Sequence, residues 1–421
     1  MIQPGSAIEL DVEKAAAGGR MLARHQGQVV LVWGAIPGER VRARVDKVGK
    51  GVVYAETIEV LAASSDRRSE ARDWRCGGSV LSHIAYPRQL RLKGEIIADA
   101  FGRVGRMPLA EPPAVIPSPE HGYRMRARLH VRGGRIGFFR EGSHDLCDAA
   151  PTRQLLPATH EWIAAAEEVL RRDKLTGLLS IELAENIPAD ERSCQLELAD
   201  GEKRGHYAPL ADMGLREVTD VLHVREGDDG SALRLTRDAR AFFQGNRYLL
   251  ETLLRHVIAL VPAGPVVDLY AGVGLFGLSI AAAGGEQVTL VEGDPVSGSD
   301  LQRNAQPFAG RVTVDRRSVE MFLASRKAEA VRHLPSAVIT DATFIVDPPR
   351  TGLSKEAMAG AIAAAPARVV YVSCDVATLA RDARLLVDAG YALDGLIGID
   401  LFPNAAHVET VAVFARTTER H

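Results

Sequence analysis

Cys374 stands where an apolar run, VVYVS, gives way to a helical one, DVATLARD. A thiol at such a junction meets the partial positive charge of a helix N-terminus, which favours the thiolate. Asp375 and Thr378 are suited to capping that helix. A thiolate is a nucleophile able to form a covalent intermediate. A lone cysteine is more often a small buried apolar residue, so its companions must decide. Glu409 enters a final apolar run in LFPNAAHVETVAVF, with His407 two residues earlier on the same face. Burying an acid is costly unless it is paired or used. Next to a nucleophile it is a candidate general base; the alternative is a structural salt bridge. Asp347 ends another apolar run in VDPPRTGLS, where two prolines hold the loop extended. Such a loop can clamp a planar base, although it also suits an ordinary strand-ending turn.

A fourth feature binds rather than reacts. VVDLYAGVGLFGLSIAAAG reads as strand, glycine turn and helix, and Gly272, Gly274 and Gly277 allow a sharp bend close to a ligand. Glu292 ends the next strand, in VEGD, where an acid can accept both hydroxyls of a ribose. A glycine turn alone is a weak signal; with the acid it predicts a nucleotide-like cofactor.

The elements that must position these groups follow from periodicity. From about residue 240, apolar runs (VVDLY, QVTLVEGD, RVTVD, ATFIVD, RVVYVSC, YALDGLIGID) alternate with helical stretches. That rhythm predicts a parallel sheet covered by helices, a Rossmann-like α/β domain over 240–421. Residues 1–62 read as short strands broken by glycine, a small barrel. Residues 63–75 are polar and read as a linker. The block 76–239 mixes helices near 87 and 157 with a basic hairpin around Gly133-Gly134, a central α+β domain.

Composition excludes little. The chain has 421 residues and a net charge of −3, with 46% hydrophobic and 25% charged residues. An RNA surface would have to be a local patch, since counterion release depends on local charge. No apolar run is long enough for a membrane span, and the N-terminus lacks signal-peptide features. Cys76, Cys147, Cys194 and Cys374 show no pairing pattern, which suits a reducing cytoplasm.

Five blocks together are specific: FFQGN (242–246), DLYAGVG (268–274), DPPRTG (347–352), SCDVATLARD (373–382) and HVETV (407–411). With them the chain resembles the RNA uracil-5 methyltransferases that modify transfer and ribosomal RNA, over nearly its whole length. The resemblance implies a class I methyltransferase domain using S-adenosylmethionine. It implies that Gln244, Tyr270, Gly272, Gly274, Glu292 and Asp347 line the cofactor pocket. It makes Cys374 the nucleophile and Glu409 the proton acceptor, and Phe242 is expected to pack against a flipped uracil. The N-terminal segment resembles a TRAM barrel of the oligonucleotide-binding type, and RMRARLHV with GFFREGSH resembles the family's central RNA-binding part. The expected partner is rRNA or tRNA, and the expected molecule is a cytoplasmic monomer with no membrane association.

Two departures stand out. Relatives often carry an iron–sulfur cluster on four cysteines, three of them around a CGGC sequence. Here the segment is EARDWRCGGS: Cys76 is kept, but Ser79 and Glu70 stand at or near two ligand positions, and Cys147 falls a few residues from the fourth. Two thiolates do not make a cluster, so none is expected, nor any other metal. Leu275 also stands where many relatives have a polar residue at the cofactor. Two other functions fit parts of the pattern. An inactive RNA-binding protein would show an eroded nucleophile or base. A small-molecule methyltransferase would not need the barrel or the basic hairpin.

Overall fold

The computed structural model describes residues 2–70, 73–225, 232–329 and 340–417, with the side chains of 326–329 left aside. The chain begins with β1 (Ala7–Ala15), β2 (Met21–His25), β3 (Gln28–Trp33), β4 (Arg40–Val48) and β5 (Val52–Ala62), which close into a barrel in the order β1-β2-β3-β5-β4. Alternation does this: Leu10, Val12, Val30, Val32, Val41, Ala43, Val53 and Ala55 point inward and are buried, with polar residues between them. Closure leaves no open edge.

Part of the expected linker is packed rather than free. Arg67 pairs at 2.6 Å with Glu39, whose side chain is fully buried, and Trp74 stacks on Trp33 with ring centres 5.8 Å apart. Residues 71–72 of that stretch lie outside the described residues.

Next come α1 (Tyr86–Arg103) and β6 (Val115–Ile116). The sequence groups both with the central block, but the structure joins them to the C-terminal sheet. β6 pairs in parallel with the strand Tyr391–Ile399 and forms that sheet's edge, and Leu92, Ile96, Ile97 and Phe101 of α1 enter the same apolar core. The reason is an amphipathic helix whose apolar face is buried against the helix Val376–Asp388, the edge of that sheet and β1 of the barrel.

The central layer contains β7 (Arg126–Arg132), β8 (Arg135–Phe139), β9 (Leu146–Cys147), α2 (Pro157–Arg172), β10 (Leu178–Glu185), β11 (Arg192–Leu198) and the short α3 (Ala208–Ala211). Its strands form an antiparallel sheet in the order β11-β10-β7-β8-β9. The Gly133-Gly134 turn takes φ of 57° and 74°, which suits glycine in a tight hairpin. Here the cysteine reading needs correction. Cys76 and Cys147, 71 residues apart, form a disulfide with Cα atoms 5.8 Å apart. The fold brings them together because residue 76 bridges to Arg140 at the end of β8 while β9 pairs with that same strand. No spacing rule in the sequence shows such a contact.

The hairpin β12 (Glu217–His223) and β13 (Ala232–Asp238) leads to the final layer. That layer runs α4 (Leu250–Ala259), β14 (Val266–Leu269), α5 (Leu275–Ala282), β15 (Val288–Val291), α6 (Pro295–Asn304), β16 (Val312–Asp315), α7 (Val319–Glu329), β17 (Thr343–Val346), α8 (Lys355–Ala364), β18 (Arg368–Ser373), α9 (Val376–Asp388), β19 (Tyr391–Ile399) and β20 (Glu409–Arg416). The sheet order is β16-β15-β14-β17-β18-β20-β19-β6. β16 through β18 are parallel, whereas β20 runs antiparallel to β18 and β19. β14 and β17 are neighbours from which the chain winds in opposite directions, so the crevice for a ligand lies beyond their carboxyl ends.

Candidate active site

The topology gathers the sequence-predicted residues at one edge. Tyr270, Gly272 and Gly274 follow β14, Glu292 follows β15, Asp347 follows β17 and Cys374 follows β18. Glu409 joins them because β20 is reversed. Its first residue lies at the carboxyl edge, with Thr410 opposite Ser373 and Glu409 opposite Ile399.

The cofactor side is built mostly from backbone. Asp268, buried in β14, accepts from the Gly277 amide at 2.8 Å and so ties the strand to α5 across the turn. Tyr270 has φ of 62°, an uncommon conformation for an aromatic residue and of the kind that clusters at functional sites. Gly274 has φ of 102°, and a Cβ there would meet Leu278 and come within 2.9 Å of Leu301. Gly272, with φ of 57°, faces open space, its nearest neighbour being the Phe242 carbonyl at 3.8 Å from a notional Cβ. Glu292 accepts from the Gly272 amide at 2.8 Å and the Asp294 amide at 2.6 Å. The Gly293 amide also acts on this carboxylate, whose lone-pair directions outnumber these donors. Half-buried, it is pushed above the usual carboxylate range by desolvation, with these amides pulling the other way. An acceptor beside a bare, side-chain-free turn fits the ribose of a nucleoside cofactor. Leu275 is buried as the first residue of α5, and its hydrocarbon side chain offers no polar contact.

The reacting side is a cavity of about 320 Å³ lined by Phe242, Gln244, Asp347, Arg350, Cys374 and Glu409 among others. Gln244 is buried and donates from Nε2 to Asp347 Oδ2 at 3.2 Å. Burial pushes the Asp347 carboxyl up to about 7, against the Gln244 hydrogen bond. Glu409, also buried, is raised well above the carboxylate range by desolvation and by Asp347, with Arg350 opposing. Two acids on one small cavity do not both ionise readily.

The thiol departs from expectation. A lowered pKa was expected from the helix N-terminus, yet Cys374 is pushed up to about 12 by burial, then by Glu409 and Asp347, with Arg350 opposing. The N-terminal amides of α9 are already engaged, because Asp375 accepts from Ala377 at 3.1 Å and Thr378 at 2.9 Å. Thr378, the other expected cap, has its hydroxyl within donating distance of the Asp375 carbonyl at 3.0 Å and the Arg350 carbonyl at 3.2 Å.

Phe242 is more than half exposed, at 57%, with the Arg126 guanidinium 5.7 Å from its ring centre. Beyond it a second cavity of about 540 Å³ runs from Trp33 of the barrel past His130 and Phe139 to Phe402 and His407. Arg124, Arg126, Arg128 and Arg350 border both cavities. Residues 124, 126 and 128 repeat with the period of a strand and so share a face. Positive charge and aromatic rings along one groove suit a nucleic-acid strand.

Sequence reasoning missed three parts of this site. Phe402 lines both cavities from the loop before β20. Asn246 joins separate segments, donating to Ser118 at 2.9 Å and the Leu401 carbonyl at 3.1 Å while accepting from Leu249 at 3.1 Å. Arg350 is the third; its place immediately after Asp347-Pro348-Pro349 was the available signal.

The residues of the cluster segment do not fit an iron–sulfur group. Cys76 and Cys147 are bonded to each other, and Ser79 presents a buried hydroxyl where a thiolate would be needed.

Known proteins share this architecture. The tRNA (Uracil-5-)-methyltransferase family model matches residues 216–417, and the TRAM domain model matches residues 3–58. The 23S rRNA (uracil(1939)-C(5))-methyltransferase RlmD of Halomonas elongata is 32% identical, covering 96% of this chain and 88% of its own. An RNA methyltransferase of Streptomyces avermitilis is 30% identical over 97% of this chain and 98% of its own. In fold, the Pyrococcus abyssi tRNA (uracil-54, C5)-methyltransferase, solved with S-adenosyl-L-homocysteine, matches 96% of this chain and 99% of its own with a TM-score of 0.73 at 23% identity. The chain belongs to the S-adenosylmethionine-dependent RNA uracil-C5 methyltransferase family.

Proposed function

We propose that this protein methylates carbon 5 of a uridine in rRNA or tRNA through a covalent Cys374–uracil adduct, with Glu409 removing the carbon-5 proton. The observation that carries the reading is that Cys374, Glu409 and Asp347 face one cavity, and that Phe242 of the same lining approaches Gly272 of the turn that Glu292 holds. S-adenosylmethionine, when bound, supplies an electrophilic methyl group. Glu292 would hold its ribose, and Gly272 and Gly274 would let it approach the backbone. Gln244, Tyr270 and Asp347 would border it, Asp347 being fixed in turn by Gln244.

Carbon 5 of uracil is a poor nucleophile. Addition of the Cys374 thiolate to carbon 6 moves the ring's π electrons into an enolate, and carbon 5 becomes nucleophilic. After methylation carbon 5 still carries its proton. Glu409 takes it, the carbon 5–carbon 6 double bond re-forms, and the bond from sulfur to carbon 6 breaks. A carboxyl whose pKa is raised is the stronger acceptor for this proton. Phe242, exposed at the mouth, would stack on the flipped base, and the arginine-lined groove would hold the flanking strand. The same reading includes a cytoplasmic monomer that carries no iron–sulfur cluster. Among the described residues no helix is long and apolar enough to cross a membrane.

The test separates the two catalytic groups. Cys374→Ala should abolish turnover and form no adduct. Glu409→Gln should stop turnover after methyl transfer and accumulate a methylated protein–RNA complex that survives denaturing electrophoresis and disappears on RNase digestion. The double variant should behave as Cys374→Ala, because groups acting as a unit are not additive. Near-normal activity in Cys374→Ala would reject the nucleophile. An inactive Glu409→Gln that traps no RNA would reject the base.

A further inference from the structure

Arg350 stands three residues after Asp347, on a loop whose backbone is held from several sides. Its carbonyl accepts from Thr378 of α9 at 3.2 Å. Gly352 turns back to the Pro349 carbonyl at 2.8 Å, and the Leu353 amide donates to Asp382 at 2.9 Å. Asp382 is itself held by the Tyr371 hydroxyl at 2.7 Å, and Arg381 donates to the Thr351 carbonyl at 3.1 Å. Three of these partners, Thr378, Arg381 and Asp382, lie on the helix that begins just after Cys374. The loop and the thiol are therefore positioned by one element.

The Arg350 side chain borders both cavities. It faces Cys374 from β18, Glu409 from β20 and His407 from the preceding loop. Asp347 precedes it on its own loop, and Asp375 caps α9. Across the cavity stand Arg124, Arg126 and Arg128 with Glu182 of β10. Lys93 of α1, close enough to act on His407, is paired with Asp400 at 2.5 Å.

A problem of charge needs a solution here. The thiol is half-buried beside acids, which oppose ionisation, and among the groups acting on it Arg350 favours the charged form both through its field and as a hydrogen-bond donor. A guanidinium stays protonated at any working pH and offers a fork of donors.

We propose that Arg350 is a catalytic residue, the counter-cation of the Cys374 thiolate both before addition and after release. The second role rests on the uridine reading above. On addition, a sulfur lone pair forms the bond to carbon 6 and negative charge leaves sulfur for the enolate. On release, Glu409 takes the carbon-5 proton and the sulfur departs with its electron pair, again facing Arg350. The thiolate is thereby regenerated, and the one proton per turnover leaves through Glu409 to solvent. Asp347 and Glu409 repel that thiolate unless they hold protons, so the guanidinium matters most when either acid is ionised.

The test uses the full chain and two variants, Arg350→Gln and Arg350→Lys. Iodoacetamide alkylation of Cys374 is followed at alkaline pH by peptide mass spectrometry, which separates it from Cys194. Loss of about one pKa unit of stabilisation corresponds to roughly tenfold slower alkylation below the pKa. Arg350→Gln should show at least that slowing, with kcat reduced to a similar degree, the RNA KM little changed and S-adenosylmethionine affinity retained. Arg350→Lys should recover part of both rates. Unchanged alkylation with a raised RNA KM would overturn the proposal and make Arg350 a phosphate contact. Unchanged alkylation with normal kcat would overturn it outright. If no protein methylated uridine, the functional reading would fail, while the alkylation comparison would still decide whether Arg350 supports the thiolate.

Discussion

Glu292 shows how much one side chain is asked to do. Its carboxylate organises the glycine turn through Gly272 and the next helix entry through Asp294, and under the proposed function it also holds a ribose. Glu292→Ala should therefore weaken S-adenosylmethionine binding at least tenfold in calorimetry. Hydrogen bonds to a charged acceptor are worth about 1.5–3 kcal/mol each, and unchanged affinity would reject the pocket. At this scale the sequence was legible where a residue's type and position carried the message, as for Cys374, Glu409 and Asp347. It was not legible for the thiol's ionisation. A helix N-terminus follows Cys374 as expected, but Asp375 occupies its amides and two acids from distant strands face the sulfur.

At the scale of elements, the turn between β14 and α5 carries the most demanding geometry. Gly274 combines a left-handed backbone with side chains of α5 and α6 packed where a Cβ would stand. Gly274→Ala must strain the backbone or displace Leu278 and Leu301. A loss of about 1–3 kcal/mol of stability is expected, together with weaker cofactor binding, measurable by urea denaturation and calorimetry. A variant equal to wild type in both would show that the turn tolerates a side chain. The alternation of strands and helices was readable because the central parallel strands β14, β17 and β18, buried on both faces, are mostly apolar runs. The two-residue β6 was not readable, since so short a strand has no period.

At the scale of the molecule, the net charge of −3 conceals a groove bordered by Arg124, Arg126, Arg128 and Arg350. The barrel reaches that groove with Trp33, which stacks on Trp74 beneath the Arg20 guanidinium. Deleting the barrel would be a poor test of RNA binding, because its core is continuous with α1 and the C-terminal sheet. Trp33→Ala is cleaner. Its truncation removes an aromatic wall of the groove and the support of Arg20 and Trp74, so RNA affinity should fall several-fold or more in filter binding at fixed salt while S-adenosylmethionine affinity holds. Equal RNA affinity would make the barrel's contribution structural.

The sequence by itself determined the kinds of element and the chemistry-bearing residues, because periodicity, glycine turns and motif blocks are local properties of the chain. It also placed Cys374, Glu409 and Glu292 at strand ends. Tertiary structure alone decided which strand ends share an edge. The reversal of β20 brings Glu409 to Cys374, and the joining of β6 and α1 to the C-terminal sheet moves that segment out of the central block. It also decided that Cys76 meets Cys147, and that the loops bearing Arg350 and Phe402 border both cavities. These are contacts between residues far apart in the chain. Their energies come from burial and charge in a shared space, and the linear order of residues does not contain that space.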